Sequence, residues 1–427
     1  YNMKMDELYK IYLQNPHVQT DTRKLQEGDL YVALKGANFD GNQFAKQALD
    51  MGASYAIIDD ETYYINEKTI LVPDGLKCLQ ALAHFHRKQF DIPFIAITGS
   101  NGKTTTKELI HTVLKSKYIT YATEGNLNNH IGVPLTILKI KKDAEIAIIE
   151  MGANHQKEIE SYCEIALPTH GIINNCGKAH LEGFGGIEGV RKGKGELYDF
   201  IRNSGGTIFI NADFDYLLEM AKDIQHQISY GSNQADFIGK IASSQPFLQV
   251  AILNHQKECV IKTQLVGAYN FPNVMAAVAI GSTFNIAIDE IKKSIEQYMP
   301  DNSRSQLITI GSNTIILDAY NANPTSMHAA IVNFAQADFS NKVIILGAMM
   351  ELGGDSLKEH QQIIQLLQQS NWNHVVLVGG HFKEVNHSFL YFENAMEAGT
   401  WYKNQAFTHT AFLIKGSRHF AMEKVLQ

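Results

Sequence analysis

Apolar residues along the chain gather in short runs that end abruptly in polar ones, and the runs fall into three successive stretches. Over the first 90 residues, "DLYVALKG", "YAIIDD" and "TILVPD" are separated by turns and by helical patterns such as "NQFAKQALDMGA", which predicts a small α/β unit. From Asp91-Ile92-Pro93 onward, "FIAITG", "AEIAIIEMG", "HGIINN" and "GTIFINAD" each precede a helical stretch. Runs that are apolar on both faces suit a parallel sheet covered by helices. A further alternation starts near residue 303, where "TIILDAY", "KVIILGA", "HVVLVGG" and "AFLIKGS" predict a third α/β layer. The expected domains are 1–90, 91–302 and 303–427, with no fixed-period repeat or low-complexity tract. In such sheets ligands bind beyond the carboxyl ends of the strands, so the chemistry is expected between the domains.

One run leads into a loop with its own chemistry. In "FIAITGSNGKTTTKELI" the apolar residues Phe94 to Ile97 give way to glycine, lysine and threonine and then to helix formers, the order strand, tight turn, helix. Gly99 and Gly102 let backbone N–H groups turn inward, Lys103 brings a positive charge, and Thr104 offers a hydroxyl to a phosphate-bound Mg²⁺; Ser100, Asn101 and Thr105 complete the cradle. The usual spacing G-x-x-x-x-G-K-[ST] would place glycine at Ile97, so this is a shortened variant for a nucleotide triphosphate. A glycine turn with a surface lysine is the alternative reading.

Composition narrows the class. The 427 residues, 45% apolar and 19% charged, describe a globular protein of more than one domain. A net charge of −7 argues against nucleic acid and for a small substrate. Cys78, Cys163, Cys176 and Cys259 are scattered without C-x-x-C pairs, which fits buried thiols in a reducing compartment and gives no zinc signature. No stretch approaches the roughly 18 apolar residues of a membrane span. The start "YNMKMDELYKIY" is charged and amphipathic, so a cytoplasmic protein is expected. Tyr1-Asn2 ahead of Met3 could be a cloning remnant.

Other polar residues fall at the ends of apolar runs. Glu150 closes "AEIAIIE", where a further Mg²⁺ ligand is expected unless it merely caps a strand. His180 precedes Lys194 by 14 residues, yet a protonated lysine is no metal ligand and a lone histidine is more often structural. Asn126, Asn128 and Asn129 form either a hydrogen-bonding turn or a phosphate or sugar contact. Asn270 and Asn273, opening a helix of small residues, serve equally as caps or as nucleotide contacts.

Together "AITGSNGKTTTKELI", "EGNLNNHIGVPLTIL", "IEMGAN", "NNCGKAHLEGFG", "GAYNFPNVMAAVA", "LDAYNANPTSM" and "IKGSR" closely resemble the Mur ligases of bacterial peptidoglycan synthesis, collinearly and over nearly the whole chain. The resemblance implies a three-domain α/β architecture: a UDP-substrate domain, a central P-loop ATPase domain of mainly parallel sheet, and a Rossmann-like C-terminal domain. It implies an ATP- and Mg²⁺-dependent amide ligase that adds D-alanyl-D-alanine to UDP-N-acetylmuramoyl-tripeptide through an acyl phosphate, acting as a monomer. Lys194 would be carbamoylated, turning a cation into a carboxylate-like ligand, and would hold Mg²⁺ with Thr104, Glu150 and His180. Asn270 and Asn273 would line the adenine, and Arg304 and Asp318 would reach the nucleotide. Tyr320, Asn321, Asn323, Lys415, Ser417 and Arg418 would meet the amine-side substrate, with Lys415, Ser417 and Arg418 on the dipeptide's carboxylate. Arg23, Lys35 and Gly36 would line the uridine diphosphate. Where relatives carry GDM-x-ELG, this chain reads Gly347-Ala348-Met349-Met350-Glu351-Leu352-Gly353 and lacks the carboxylate at Ala348. The runner-up readings are another Mur-type or folylpolyglutamate synthase-like ligase, and an ATP-dependent switch that makes no bond.

Overall fold

The computed structural model describes residues 3–253, 259–301 and 303–427; Tyr1 and Asn2 lie outside the described residues. Packing divides the chain into two compact units. The first runs up to Ile97 and includes Tyr118–Gly152 and Lys157–Gly171; the second holds Thr98–Lys117, Ala153–Gln156 and everything from Ile172.

In the first unit, Val18–Gln19, Leu30–Val32, Tyr55–Ile58 and Thr69–Leu71 form a parallel sheet in that order. Leu30, Tyr31 and Val32 are all buried, which is why the run shows no alternation. Tyr31, Ala33, Ala45, Ala48, Ala56 and Ile58 make its core, and the Tyr31 hydroxyl is satisfied by donating to Gly41 O at 2.9 Å. A second parallel set pairs Ile146–Glu150 with Thr120–Ala122 and with Phe94–Thr98. All five residues of Ile146–Glu150 are buried, so the strand delivers a carboxylate to the end of an apolar rod.

The second unit continues the parallel pattern in Thr207–Asn211 and His226–Gly231, then changes. Phe237–Ser243 runs antiparallel to Gln249–Ile252, and that strand antiparallel to Cys259–Lys262. The sequence reading contains none of these last three strands. Phe237–Ser243 and Cys259–Lys262 are half-exposed and mix polar with apolar positions, so they lack the doubly buried runs that mark the others, while Gln249–Ile252 is buried at three of its four positions. Helix Phe271–Thr283 is almost wholly buried, and its small residues allow close packing on helix Lys103–Leu114: a Cβ on Gly281 would lie 2.6 Å from Val113 Cγ1. Toward the C-terminus six strands follow the order Gln306–Ile310, Asn313–Asp318, Ala411–Lys415, Lys342–Gly347, His374–Val378, Leu390–Phe392. Only the first pair is antiparallel. Cys163 and Cys176 are buried as expected, whereas Cys78 and Cys259 are half-buried.

Two histidines, His86 and His360, lie inside these cores, and a third, His170, is half-buried. His86 Nδ1 accepts from the Tyr9 hydroxyl at 3.0 Å and its Nε2–H donates to Ile140 O at 2.8 Å. His360 Nε2 accepts from Met349 N at 3.1 Å. Burial lowers the proton affinity of both and pushes His170 from the ordinary 6.5 down to about 4. The unfolded chain therefore binds protons that the folded one refuses, and the stability held above pH 6.5 is lost as pH falls from there toward 4. The thermal midpoint is expected to be level above that window and to decline within it; a midpoint unchanged down to about pH 5 contradicts this linkage.

Candidate functional site

The loop after strand Phe94–Thr98 needs both its glycines. Gly99 has φ 147° and Gly102 φ 79°, and a Cβ would lie 2.9 Å from Asn174 Cβ at the first and 2.7 Å from Asn273 Oδ1 at the second. Gly102 is the N-cap of helix Lys103–Leu114, so the first-turn N–H groups of that helix face the loop. Lys103 Nζ donates to Gly99 O at 2.8 Å, folding the ammonium back over the turn, while Thr104 and Thr105 are half-buried in the first helical turn.

Asn174 and Asn175, which end the run "HGIINN", hold this loop from the side. Ser100 N donates to Asn175 O and Asn101 N to Asn175 Oδ1, both at 3.0 Å, and Ser100 Oγ donates to Gly177 O at 3.1 Å. Thr106 Oγ1 accepts from Asn174 Nδ2 at 2.9 Å and donates to Asn273 Oδ1 at 3.0 Å. Asn273 Nδ2 donates to Asn270 Oδ1 at 2.9 Å, and Asn270 Nδ2 to Val266 O at 2.8 Å. Asn270 thus stands at the N-cap position without a side-chain capping bond, and both asparagines serve the loop's support. Among the described residues here, Asn101 Nδ2 and Asn174 Oδ1 are buried with no hydrogen-bond partner. Such orphans are expensive unless a ligand satisfies them, and a donor beside a helix N-terminus suits an anion.

In the first unit Glu150 is buried at 1% exposure, and its Oε1 accepts from Asn128 Nδ2 at 2.8 Å. The asparagine triplet divides its labour: Asn128 orients the acid, Asn129 Oδ1 accepts from Ile131 N and Gly132 N, and Asn126 O accepts from Asn128 N. Elsewhere in that unit Arg23 pairs with Asp21 and Lys35 with Asp59 at 2.8 and 2.9 Å, and both cations are exposed, with Gly36 in a short hairpin.

In the second unit Lys194 lies mid-helix in Ile187–Ser204 at 1% exposure; its Nζ donates to Ala153 O at 3.2 Å and stands 5.1 Å from the Phe184 ring centroid. His180 stands at the N-cap position of the short helix Leu181–Phe184 without a side-chain capping bond, and its Nδ1 pairs with the carboxylate of Glu351. That bond holds Glu351 below the usual carboxylate range. Among the described residues no three His, Cys, Asp or Glu side chains converge as a ready-made metal site.

The residues expected on the amine side are largely engaged within the protein. Lys415, 2% exposed, donates to Asp318 Oδ2 at 2.7 Å and to Asn321 O at 3.1 Å, and Arg304 lies 3.5 Å over the Tyr320 ring. Asn321 Oδ1 accepts from Ala322 N, Ser417 Oγ from His419 N, and Arg418 pairs with Glu423 while staying largely exposed. Asn323 forms a capping box with Ser326 and donates from Nδ2 to Asn101 Oδ1 at 2.7 Å. The Ala348 methyl sits against Gly380, where any Cβ would come within 2.5 Å. Sequence reasoning missed Asn174, Asn175 and Glu351; the first two carried a signal, as polar residues at a strand's carboxyl end.

Comparison with known proteins places the chain in a family. Family models match in chain order: the Mur ligase family catalytic domain over residues 16–87, the Mur ligase middle domain over 97–281, and the Mur ligase glutamate ligase domain over 303–418. The UDP-N-acetylmuramoyl-tripeptide–D-alanyl-D-alanine ligase of Bacillus subtilis (strain 168) is 36% identical over 360 residues, 81% of this chain and 78% of that protein. The crystal structure of MurF from Acinetobacter baumannii superposes with a TM-score of 0.87 at 32% identity, covering 96% of this chain and 92% of that one. MurF ligase from Thermotoga maritima in complex with ADP gives 0.87 at 25% identity, covering 97% of both chains. With this three-domain α/β architecture and these relatives, the chain belongs to the Mur ligase family, in the group of UDP-N-acetylmuramoyl-tripeptide–D-alanyl-D-alanine ligases.

Proposed function

We propose that the protein joins D-alanyl-D-alanine to UDP-N-acetylmuramoyl-tripeptide, converting ATP to ADP and phosphate. The observation that carries this reading is the phosphate loop, whose Asn101 meets Asn323 of the segment matched by the ligase-domain model. The loop's N–H groups and Lys103 would bind the β- and γ-phosphates. The γ-phosphoryl passes to the tripeptide's terminal carboxylate: the P–O bond to ADP breaks and a P–O bond to the carboxyl oxygen forms. Lys103 would offset the repulsion between that carboxylate and the triphosphate. The dipeptide amine then attacks the acyl carbon, loses a proton, and phosphate leaves as the amide forms.

Mg²⁺ would be held by Thr104, Glu150, His180 and carbamoylated Lys194 and would supply charge neutralisation at the phosphates. Asn128 would keep the Glu150 carboxylate turned to its task. Further assignments follow the family. Residues 1–90 would bind the uridine diphosphate through Arg23, Lys35 and Gly36, 91–302 would bind ATP with Asn270 and Asn273 near the adenine, and 303–427 would bind the amine. Arg304 and Asp318 would reach the nucleotide; Tyr320, Asn321, Asn323, Lys415, Ser417 and Arg418 would serve the dipeptide. No described helix is long and apolar enough to cross a membrane, and we place the enzyme in the cytoplasm as a monomer.

The test is ADP release measured with the UDP-tripeptide and a panel of amines. ADP should form only when both the tripeptide and D-alanyl-D-alanine are present, with the pentapeptide product seen by mass spectrometry. Phosphate release needing neither substrate would overturn the ligase reading and favour a nucleotide switch.

A further inference from the structure

Glu351 lies in the segment "GAMMELG", and its side chain reaches the imidazole that the proposed function assigns to a divalent cation. The approach is built from both sides. Glu182 N donates to Glu351 O at 3.3 Å, and a Cβ on Gly353 would stand 3.3 Å from Glu182 Cβ. Nearby, Lys178 N donates to Thr325 Oγ1 at 3.0 Å and Lys178 Nζ to Glu359 Oε1 at 2.6 Å. The stretch around His180 is thus tied at several points to the part of the chain after residue 303. Both partners hold left-handed backbone, φ 52° at His180 and 61° at Glu351, a conformation that side-chain-bearing residues keep only where their surroundings fix it.

The pairing has a chemical consequence. A neutral imidazole carries one N–H, and an ionised carboxylate only accepts, so a carboxylate at Nδ1 puts the hydrogen there and leaves the Nε2 lone pair as the donor to a cation. Histidines that bind metal commonly give their second N–H to a carboxylate, which fixes the tautomer and the ring plane. We propose that Glu351 is a positioning residue that sets His180 in the Nδ1–H form with Nε2 as the coordinating nitrogen. Docking of the segment matched by the ligase-domain model then completes the cation site on the segment matched by the middle-domain model. By linkage, the cation must favour that docking by the same factor. The inference rests on the reading of His180 as a cation ligand.

The test uses the full chain and two readouts. Ring ¹⁵N spectra of the metal-free protein near pH 8, with the His180 signals assigned by their loss in His180→Gln, should show Nδ1 protonated and Nε2 bare. Mn²⁺ affinity, read by electron paramagnetic resonance with a non-hydrolysable ATP analogue present, should fall about 10- to 100-fold in Glu351→Ala and Glu351→Gly. In both variants His180 should shift toward the Nε2–H form. The glycine variant keeps the left-handed backbone accessible, so its loss reports the carboxylate. Glu351→Gln, whose amide oxygen can accept the same hydrogen, should keep the tautomer and most of the affinity. Unchanged tautomer and Mn²⁺ affinity in the alanine and glycine variants, where His180→Gln does weaken Mn²⁺, overturns the role of Glu351 alone. Unchanged Mn²⁺ affinity in His180→Gln overturns the cation reading and this inference with it.

Discussion

Lys103→Ala is expected to lower ligation by about 10²–10³-fold or more, the scale for removing one preorganised donor from a site of developing negative charge. Lys103 is the only cation in the loop 99–105, and its Nζ is already folded onto Gly99 O at 2.8 Å, so no neighbour in the loop can replace it. The side chain is half-buried and fills no core, so the fold should survive and the thermal midpoint should move little. Lys103→Arg should also be impaired, because a planar fork does not match a cradle shaped around a point charge. Single-turnover ADP formation with both substrates present is the measurement. Turnover near that of the unaltered enzyme would sink the assignment of this loop to the phosphates.

An effect of similar size is expected at Lys194, for a different reason. An ammonium inside a protein needs strong acceptors, and the burial of this one makes its charge state decisive. In the proposed carbamoylation the ammonium would lose a proton and the neutral amine would add CO₂, forming an N–C bond and losing a second proton, so the group would pass from +1 to −1 and could hold Mg²⁺ where an ammonium would repel it. Lys194→Ala should then lose about 10²-fold or more of the activity, beyond the 10–100-fold typical of groups that only orient a ligand. Acetate or formate should restore part of it by occupying the vacated position. The unaltered enzyme should weaken in CO₂-depleted buffer and recover with bicarbonate. A fully active alanine variant would show that the lysine is dispensable, and indifference to bicarbonate that it acts unmodified.

What could be read from the sequence was what depends on near neighbours in the chain. The strand, glycine turn and helix at 94–114 are local, and the strands buried on both faces announce themselves as unbroken apolar runs. The half-exposed strands Phe237–Ser243 and Cys259–Lys262 gave no such run. Pairings across the chain were also out of reach. Lys415 lies 97 positions from Asp318, and its motif suggested a carboxylate-binding cation, whereas its charge is already shared with that aspartate. Glu351 is 171 positions from His180, and nothing in its neighbours marks a glutamate that must adopt left-handed backbone. The asparagines at 126, 128 and 129 looked alike, and only tertiary contact separates the one that orients Glu150 from the two that shape a turn.

Asn323 narrows what evolution can do at one position. Helix starts in general accept serine, threonine, aspartate or asparagine, because each supplies an oxygen for the first N–H groups. Here the same side chain accepts from Ser326 N at 2.9 Å and, from its other end, donates to Asn101 at 2.7 Å. Aspartate has no hydrogen to donate, and a serine or threonine hydroxyl is too short to serve both neighbours. A substitution that drift would treat as silent for the helix, serine above all, therefore gives up the bond that ties the helix start to the glycine loop at 99–105.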